Sequence, residues 1–185
     1  MKFFSRILLC LLFVLASHVA GAQTRLTVNQ ALDFWISVTE KSVVDAAEAM
    51  PEDKYSFAPG AGIGEFSGVR TFGQQIKHLA ANNYRMAAYI LNQTPTPDQE
   101  SEIGPENIQS KAQIMDYARG SFAALHRAMA AINEGNMLEP MAIPPPRQKT
   151  RLQLAVDVVA HSNDHFGQMV EYLRMNGIIP PSSRK

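Results

Sequence analysis

Four stretches of the sequence begin with the same pair of residues, a hydroxyl side chain followed three positions later by a glutamine. In such a pair, each side chain accepts a hydrogen bond from the backbone N–H group of the other residue, and these N–H groups otherwise lack partners at the start of a helix. Each pair is followed by apolar residues with the spacing of an amphipathic helix. The sequence therefore predicts four helices, opened by Thr27–Gln30, Thr71–Gln74, Ser110–Gln113 and Thr150–Gln153.

The apolar spacing also predicts the extent of these helices and the side that each one buries. They should run from about Val28 to Ala49, Phe72 to Leu91, Lys111 to Ile132 and Arg151 to Met175. The expected buried stripes are Val28, Leu32, Trp35 and Val38; Phe72, Ile76, Leu79, Met86 and Ile90; and Ile114, Ala118, Phe122, Leu125 and Met129. Four amphipathic helices with almost no alternating runs predict an all-α fold, a four-helix bundle.

The connections between the predicted helices are long. They span residues 51–70, 92–109 and 133–149, and each contains at least one proline. Loops of this length in a compact domain usually cover a site or cross the bundle. The sequence has no internal repeat and no composition change that would mark a domain boundary.

The N-terminus has the pattern of a secretory signal peptide. Lys2 and Arg6 precede an apolar run from Ile7 to Ala16, and small residues follow up to Ala22. This run is shorter than the roughly 20 residues of a membrane-spanning helix. We therefore expect residues 1–22 to be removed and residues 23–185 to form a single exported domain, periplasmic or secreted, with no membrane attachment.

Composition limits the chemistry of the predicted mature chain. Removal of residues 1–22 would also remove Cys10, the only cysteine, so disulfides, cysteine nucleophiles and thiolate metal ligands are excluded. Loss of Lys2 and Arg6 would leave 15 basic residues against 17 acidic ones, a formal charge of −2. Because nucleic-acid binding normally requires a basic face, no nucleic-acid partner is expected.

Two histidines interrupt the apolar stripe of the fourth helix. Its three- and four-residue spacing joins Leu154, Val158, His161, His165, Gln168, Tyr172 and Met175. Residues four apart project from one helix face, so His161 and His165 could share a divalent cation. The pair lacks the glutamate of the HExxH zinc motif, and the alternative is a hydrogen-bonded core histidine beside a border histidine.

A third ligand is not chosen by spacing alone. His78 lies to one side of the apolar stripe of the second helix, on a flank that either lines a cavity or faces solvent. His126 lies on the third helix next to Phe122 and Met129, where a border position is the more common outcome. The residues themselves therefore leave both histidines open as ligands.

The sequence also resembles the DinB/YfiT-like superfamily across nearly the whole predicted mature chain. The matching parts are residues 161–168, residues 172–174 with Gly177 and Pro180–Pro181, residues 72–80, and residues 50–59. The most specific feature is one histidine followed, far along the chain, by an HxxxH pair. The resemblance implies a four-helix bundle with long crossover connections and a zinc, nickel or similar divalent ion held by His78, His161 and His165.

The resemblance leaves the activity open. Three histidine ligands leave positions for water or substrate, which suits a metal-dependent hydrolase or transferase acting on a small molecule. Some relatives are implied to use a low-molecular-weight thiol, but an exported protein lies outside the reducing cytosol, so hydrolysis is ranked first. No general base is identified; Tyr55, Asn82 and Asp164 are the nearby candidates.

The alternative function is a non-catalytic module, in which the metal only fastens the second helix to the fourth.

A homodimer formed through helix faces is also compatible with the pattern. Its apolar contacts would be Met86, Met115 and Met129, although methionines at such positions are more often core residues.

Overall fold

The computed structural model describes residues 25–60, 62, 64–141, 143 and 149–184. Within them lie five α-helices: α1 Val28–Ala49, α2 Phe72–Ile90, α3 Pro97–Glu100, α4 Lys111–Ala130 and α5 Arg151–Met175. Two 3-10 turns, Glu52–Lys54 and Pro181–Ser183, and a short antiparallel ladder of β1 Pro140–Met141 with β2 Lys149–Thr150 complete the secondary structure. The predicted signal peptide, residues 1–22, lies outside the described residues.

The all-α prediction is confirmed, and the four long helices match the predicted ones with ends that differ by at most two residues. The pairs of hydroxyl residue and glutamine at the starts of these helices form the expected hydrogen bonds. In α2, α4 and α5, each glutamine side chain accepts from the cap N–H group and each hydroxyl accepts from the glutamine N–H group. In α1, Gln30 accepts from the N–H group of Thr27 at 3.0 Å.

The four long helices form a bundle in which consecutive helices are not always neighbours. Helix α1 packs against α4 and α5, and α2 also packs against α4 and α5. Helices α1 and α2 therefore lie on one diagonal of the bundle, and α4 and α5 lie on the other. As a result, the connections from α1 to α2 and from α4 to α5 cross the bundle, which matches the expected long crossovers.

The buried face of α1 agrees with the predicted one only at its start, where Val28 and Leu32 are partly buried against the core. Trp35 and Val38 are exposed, Trp35 by 53%, whereas Ile36, Val43 and Ala46 are fully buried. Helix α1 has apolar residues on two sides, so spacing alone does not choose between them. The side that packs inward also carries Ala46 and Ala47, both fully buried.

The predicted stripes of the other helices fit better. All five stripe residues of α4 are buried, and four of the five in α2 are buried, with Met86 half-buried. In α5, Leu154, Val158 and Tyr172 are buried, but Met175 is exposed. None of the described helices is both long and apolar enough to cross a membrane.

Candidate metal centre

Three histidine side chains meet where α2 packs against α5. The Nε2 atom of His161 lies 3.2 Å from Nε2 of His78 and 3.2 Å from Nε2 of His165. One nitrogen from each ring lies within 4.8 Å of the other two. Helix α2 supplies His78, and consecutive turns of α5 supply His161 and His165, so the three predicted ligands converge at one point.

Two of the three rings are oriented by carbonyl oxygens. The main-chain oxygen of Glu102 lies 2.7 Å from Nδ1 of His78, and the side-chain oxygen of Gln75 lies 2.6 Å from Nδ1 of His165. A carbonyl oxygen only accepts, so each Nδ1 carries the proton and donates it. The lone pair of each Nε2 therefore points toward the shared centre, the usual arrangement behind metal-binding histidines.

The Gln75 side chain is itself held by α5. Its amide nitrogen donates to the side-chain oxygen of Gln168 at 2.7 Å, and Gln168 donates to Asp164 at 3.0 Å. This chain of hydrogen bonds fixes which end of the Gln75 amide faces His165. The ring orientation is therefore determined by residues of both helices.

The third ring, His161, contacts Asn82. Nδ1 of His161 lies 3.2 Å from the amide nitrogen of Asn82, whose oxygen accepts from Arg85 at 2.8 Å. If His161 binds an ion through Nε2, its proton lies on Nδ1. Rotation of the Asn82 amide, whose oxygen and nitrogen have similar size, would then supply the acceptor.

The surroundings keep all three imidazoles neutral near pH 7. Burial lowers the pKa of His161 to about 4, with further lowering by His78 and Arg85. Burial also lowers the pKa of His165 to about 3, with the imidazoles of His161 and His78 adding to the effect. The pKa of His78 is lowered by burial as well, although the Glu102 carbonyl opposes the shift.

These features fit a divalent ion. Nitrogens bound tetrahedrally to zinc at about 2.0–2.1 Å lie roughly 3.3 Å apart, close to the observed 3.2 Å separations. Neutral imidazole nitrogens suit zinc and nickel. His78, His161 and His165 could therefore hold such an ion and leave coordination positions open.

Gln75 provides a direct test of ring orientation. We expect Gln75→Leu to weaken zinc binding by about 10- to 100-fold, because the Nδ1–H group of His165 loses its buried acceptor. Gln168→Leu should have a smaller effect, because it removes only the support of Gln75. Competition with a chromophoric chelator measures both affinities. Equal zinc affinities of Gln75→Leu and the wild-type protein would contradict this role.

A cavity of about 730 Å³ opens beside two of the histidines. It is lined by residues of α2, α5 and the connections that precede α4 and α5: His78, Asn82, Arg85, Met86, Tyr89, Glu102, Ile143, Lys149, Leu154, Asp157, Ala160 and His161. The lining combines apolar side chains with both cations and carboxylates. A small molecule in this cavity would lie next to the point where the imidazoles converge.

His126 is not part of this cluster. It lies on α4, where Nδ1 is 2.5 Å from Asp33 and Nε2 is 2.9 Å from Glu40, both on α1. Burial lowers the pKa of His126, but hydrogen bonds to the two carboxylates outweigh burial and raise it above 6.5. The expected border position of His126 is confirmed, and its role is to join α4 to α1.

This ion pair should make stability depend on pH. Because the pKa of His126 is raised on folding, its contribution is fully present below pH 6.5 and is lost as the pH rises through the folded-state pKa. The stability difference between the wild-type protein and His126→Gln should therefore shrink between pH 6 and pH 9. We expect about 1 kcal/mol at most, since the site is partly solvated.

Urea unfolding of the wild-type protein and of His126→Gln between pH 6 and pH 9 measures this difference in stability. The clustered histidines titrate in both proteins, so their effect cancels when one free energy of unfolding is subtracted from the other. A difference that stays constant, or grows as the pH rises, would contradict the charged pair.

The three candidates for a general base have different positions. The hydroxyl of Tyr55 donates to the main-chain oxygen of Ala47 at 2.8 Å, and its ring packs on Phe72, so it serves the core. Asp164 is exposed and accepts from Gln168. Asn82 lines the cavity and contacts His161, but an amide is not a base at neutral pH.

Sequence reasoning missed several residues of the site. The main-chain oxygen of Glu102 orients His78 but has no side-chain signal in the sequence. Gln75 and Arg85 lie on the same helical flank as His78, so the sequence shows which side of α2 they occupy. The sequence does not show that Gln75 contacts α5 or that Arg85 contacts Asn82.

Comparison with known proteins agrees with the fold. The family model of the DinB superfamily matches residues 36–169. A DinB-like protein from Bacillus subtilis aligns with a TM-score of 0.64 at 15% identity, over 84% of this chain and 99% of that one. A DinB-like protein from Bacillus cereus aligns with a TM-score of 0.60 at 17% identity, over 84% and 96%.

At these identities the two structures support the fold alone. Among curated proteins no relative matches the chain. The family model spans most of the sequence and includes all three clustered histidines. The chain therefore belongs to the DinB superfamily.

Proposed function

We propose that the protein is an exported, metal-dependent hydrolase that cleaves an ester or amide bond of a small molecule. The proposed ion is zinc or nickel, held by His78, His161 and His165. The observation that carries the proposal is the convergence of three imidazoles beside a cavity of about 730 Å³. A site that only fastened two helices would not need such a cavity.

The protein's own groups have separate roles in this proposal. The Glu102 carbonyl and Gln75 hold two imidazoles with Nε2 toward the centre. Burial keeps the rings neutral, so their lone pairs remain available for coordination. When bound, a divalent ion polarises a substrate carbonyl and lowers the pKa of a water molecule. The apolar part of the cavity wall would hold the rest of the substrate.

Hydrolysis is preferred over transfer of a low-molecular-weight thiol because residues 1–22 are proposed to direct export. Such thiols are kept mainly in the reducing cytosol. We expect the mature protein, residues 23–185, to begin at Gln23, which intact-mass measurement of protein recovered after export would test. A chain that retains residues 1–22 after export would remove this reason for the preference.

Activity is tested with 4-nitrophenyl esters and anilides. The protein is stripped with a chelator, reloaded with zinc or nickel, and compared with His161→Ala and with His126→Ala as the matched control. We expect turnover in the loaded wild-type and His126→Ala proteins, and none above the chelated background in His161→Ala. Equal rates with and without metal, or in His161→Ala, would reject the proposal.

The second candidate is a non-catalytic module with a structural metal. It is favoured by the origin of the ligands on two different helices, because an ion there would clamp α2 to α5. Under this candidate, chelation would also lower stability, but no substrate in the panel would turn over. Turnover that depends on the metal would exclude it.

We propose that a homodimer forms through α1 and not through the methionine-bearing helix faces expected from the sequence. Met115 and Met129 are buried, so they serve the core. Exposed apolar side chains lie instead on α1, where Phe34 packs edge-to-face on Trp35. Light scattering on the wild-type protein and on Trp35→Ser would test whether two copies associate through α1.

A further inference from the structure

One face of α2 forms a wall of the cavity beside the histidines. His78, Asn82, Arg85 and Tyr89 all line this cavity, and their spacing of four, three and four residues places them on one side of the helix. Arg85 therefore lies two helical turns from His78, facing the same space. A molecule that reaches the clustered imidazoles also reaches the Arg85 guanidinium.

The two cationic side chains that line the cavity differ in how closely a carboxylate approaches them. Lys149 forms an ion pair with Asp157. The nearest carboxylate oxygen to Arg85 belongs to Glu102 and is 4.0 Å away, beyond hydrogen-bond distance. Arg85 does bond to the neutral amide of Asn82. Within the described part of the chain, Arg85 is thus the cation of the cavity wall that has no carboxylate oxygen within hydrogen-bond distance.

A carboxylate already occupies the space next to Arg85. The side chain of Glu102 is 66% exposed, and its oxygens lie 3.1 Å from Arg70 and 3.4 Å from Nδ1 of His78. Two arginines therefore share this one carboxylate. The charged side chains that line the cavity balance, Arg85 and Lys149 against Glu102 and Asp157, but immediately around Glu102 the two arginines leave one positive charge in excess.

We propose that Arg85 binds a carboxylate group of the substrate, so that the site takes small molecules that carry an anionic carboxylate besides the bond to be cleaved. The statement about the bond to be cleaved rests on the proposed function. The binding of a carboxylate by Arg85 does not require a metal. The planar fork of a guanidinium matches the two oxygens of a carboxylate. One excess charge suits a monoanion.

The position of Arg85 also limits the length of the substrate. Its guanidinium contacts the Asn82 amide, and the same amide contacts His161. Only one side chain therefore separates the anion site from the imidazole cluster. A substrate carboxylate on Arg85 would place a bond a few atoms away next to His78 and His161, the two histidines that line the cavity.

Benzoate and benzamide are suitable probes because they have nearly the same shape and differ in charge. Their binding to the full mature protein is measured by calorimetry at pH 8, where the clustered imidazoles are neutral and do not themselves attract an anion. Each titration is made with zinc-loaded protein and after chelation. The variants are Arg85→Gln, Glu102→Gln and, as the matched control on the far part of α5, Arg174→Gln.

We expect the wild-type protein to prefer benzoate over benzamide by about tenfold or more, with or without zinc. Arg85→Gln should remove this preference in the chelated protein, and an unchanged helical circular-dichroism spectrum reports that the variant is folded. Glu102→Gln should raise benzoate affinity about threefold, because a competing carboxylate is lost. Arg174→Gln, which removes one exposed charge, should bind like the wild-type protein.

Equal binding of the two probes by the chelated wild-type protein would overturn the inference. So would a benzoate preference that survives in Arg85→Gln, because the anion would then lie on the metal or elsewhere. Unchanged or weaker benzoate binding by Glu102→Gln would reject the position beside Glu102. Failure to bind zinc would reject the proposed function instead, and the chelated titrations would still decide the role of Arg85.

Discussion

Saturating zinc should raise the melting temperature of the chelated protein by roughly 10 °C. An ion at about 1,000 times its dissociation constant stabilises the folded state by about 4 kcal/mol. For a domain of this size, each kcal/mol shifts the melting temperature by about 2–4 °C. The convergent nitrogens of His78, His161 and His165 exist only in the folded bundle, so the unfolded chain should not bind the ion with comparable affinity.

His161→Ala should abolish this shift and weaken zinc binding by about 1,000-fold or more. His161 is central because its Nε2 lies 3.2 Å from the Nε2 atoms of both other rings. His126→Ala is the matched control, since it removes an imidazole from α4 without touching the cluster. Differential scanning fluorimetry across a zinc titration measures both. A shift that survives in His161→Ala, or disappears in His126→Ala, would show that the ion binds elsewhere.

Helix positions could be predicted from the sequence because their signals are local. The pair of Thr71 and Gln74, for example, bonds within one turn whatever the rest of the chain does. The spacing of His161 and His165 on α5 is also local, and it correctly placed both rings on one side of a helix. Short elements such as α3 and the β1–β2 ladder were missed, since they contain too few residues to show a period.

The face that each helix buries could be predicted only where one side is clearly more apolar. Helix α1 has Trp35 and Val38 on one side and Ile36 and Val43 on another, and the bundle buried the second side. Which side packs inward depends on how closely α4 and α5 approach. That distance is a property of the whole bundle and is not encoded in the spacing along α1.

The third histidine shows the same limit. His78 lies off the apolar stripe of α2, a position that usually indicates solvent. Yet 14 of the 19 residues of α2 are buried, because α3, α4 and α5 all pack against it. When a helix is covered on most sides, the spacing of its polar and apolar residues does not distinguish a buried flank from a solvent-facing one. Only the family resemblance selected His78 over His126, and the structure brings His78 to the other two histidines.

Phe122→Ala should lower the free energy of unfolding by about 3–5 kcal/mol. The ring is fully buried in the core between the helices, and its removal combines lost apolar burial with a cavity that the bundle fills only partly. Urea unfolding measures the loss. Val156→Ala is the control, because Val156 is 55% exposed and its loss should change stability by no more than about 0.5 kcal/mol.

The same variant separates the stability of the bundle from the properties of the site. Helix α4 carries Phe122 but supplies no metal ligand, so the stabilisation by zinc should add to the reduced stability of Phe122→Ala with nearly its wild-type magnitude. If the zinc increment vanished together with the core contribution, the site would depend on the packing of α4. A preserved increment means that the packing of α2 against α5 is sufficient to hold the three imidazoles together.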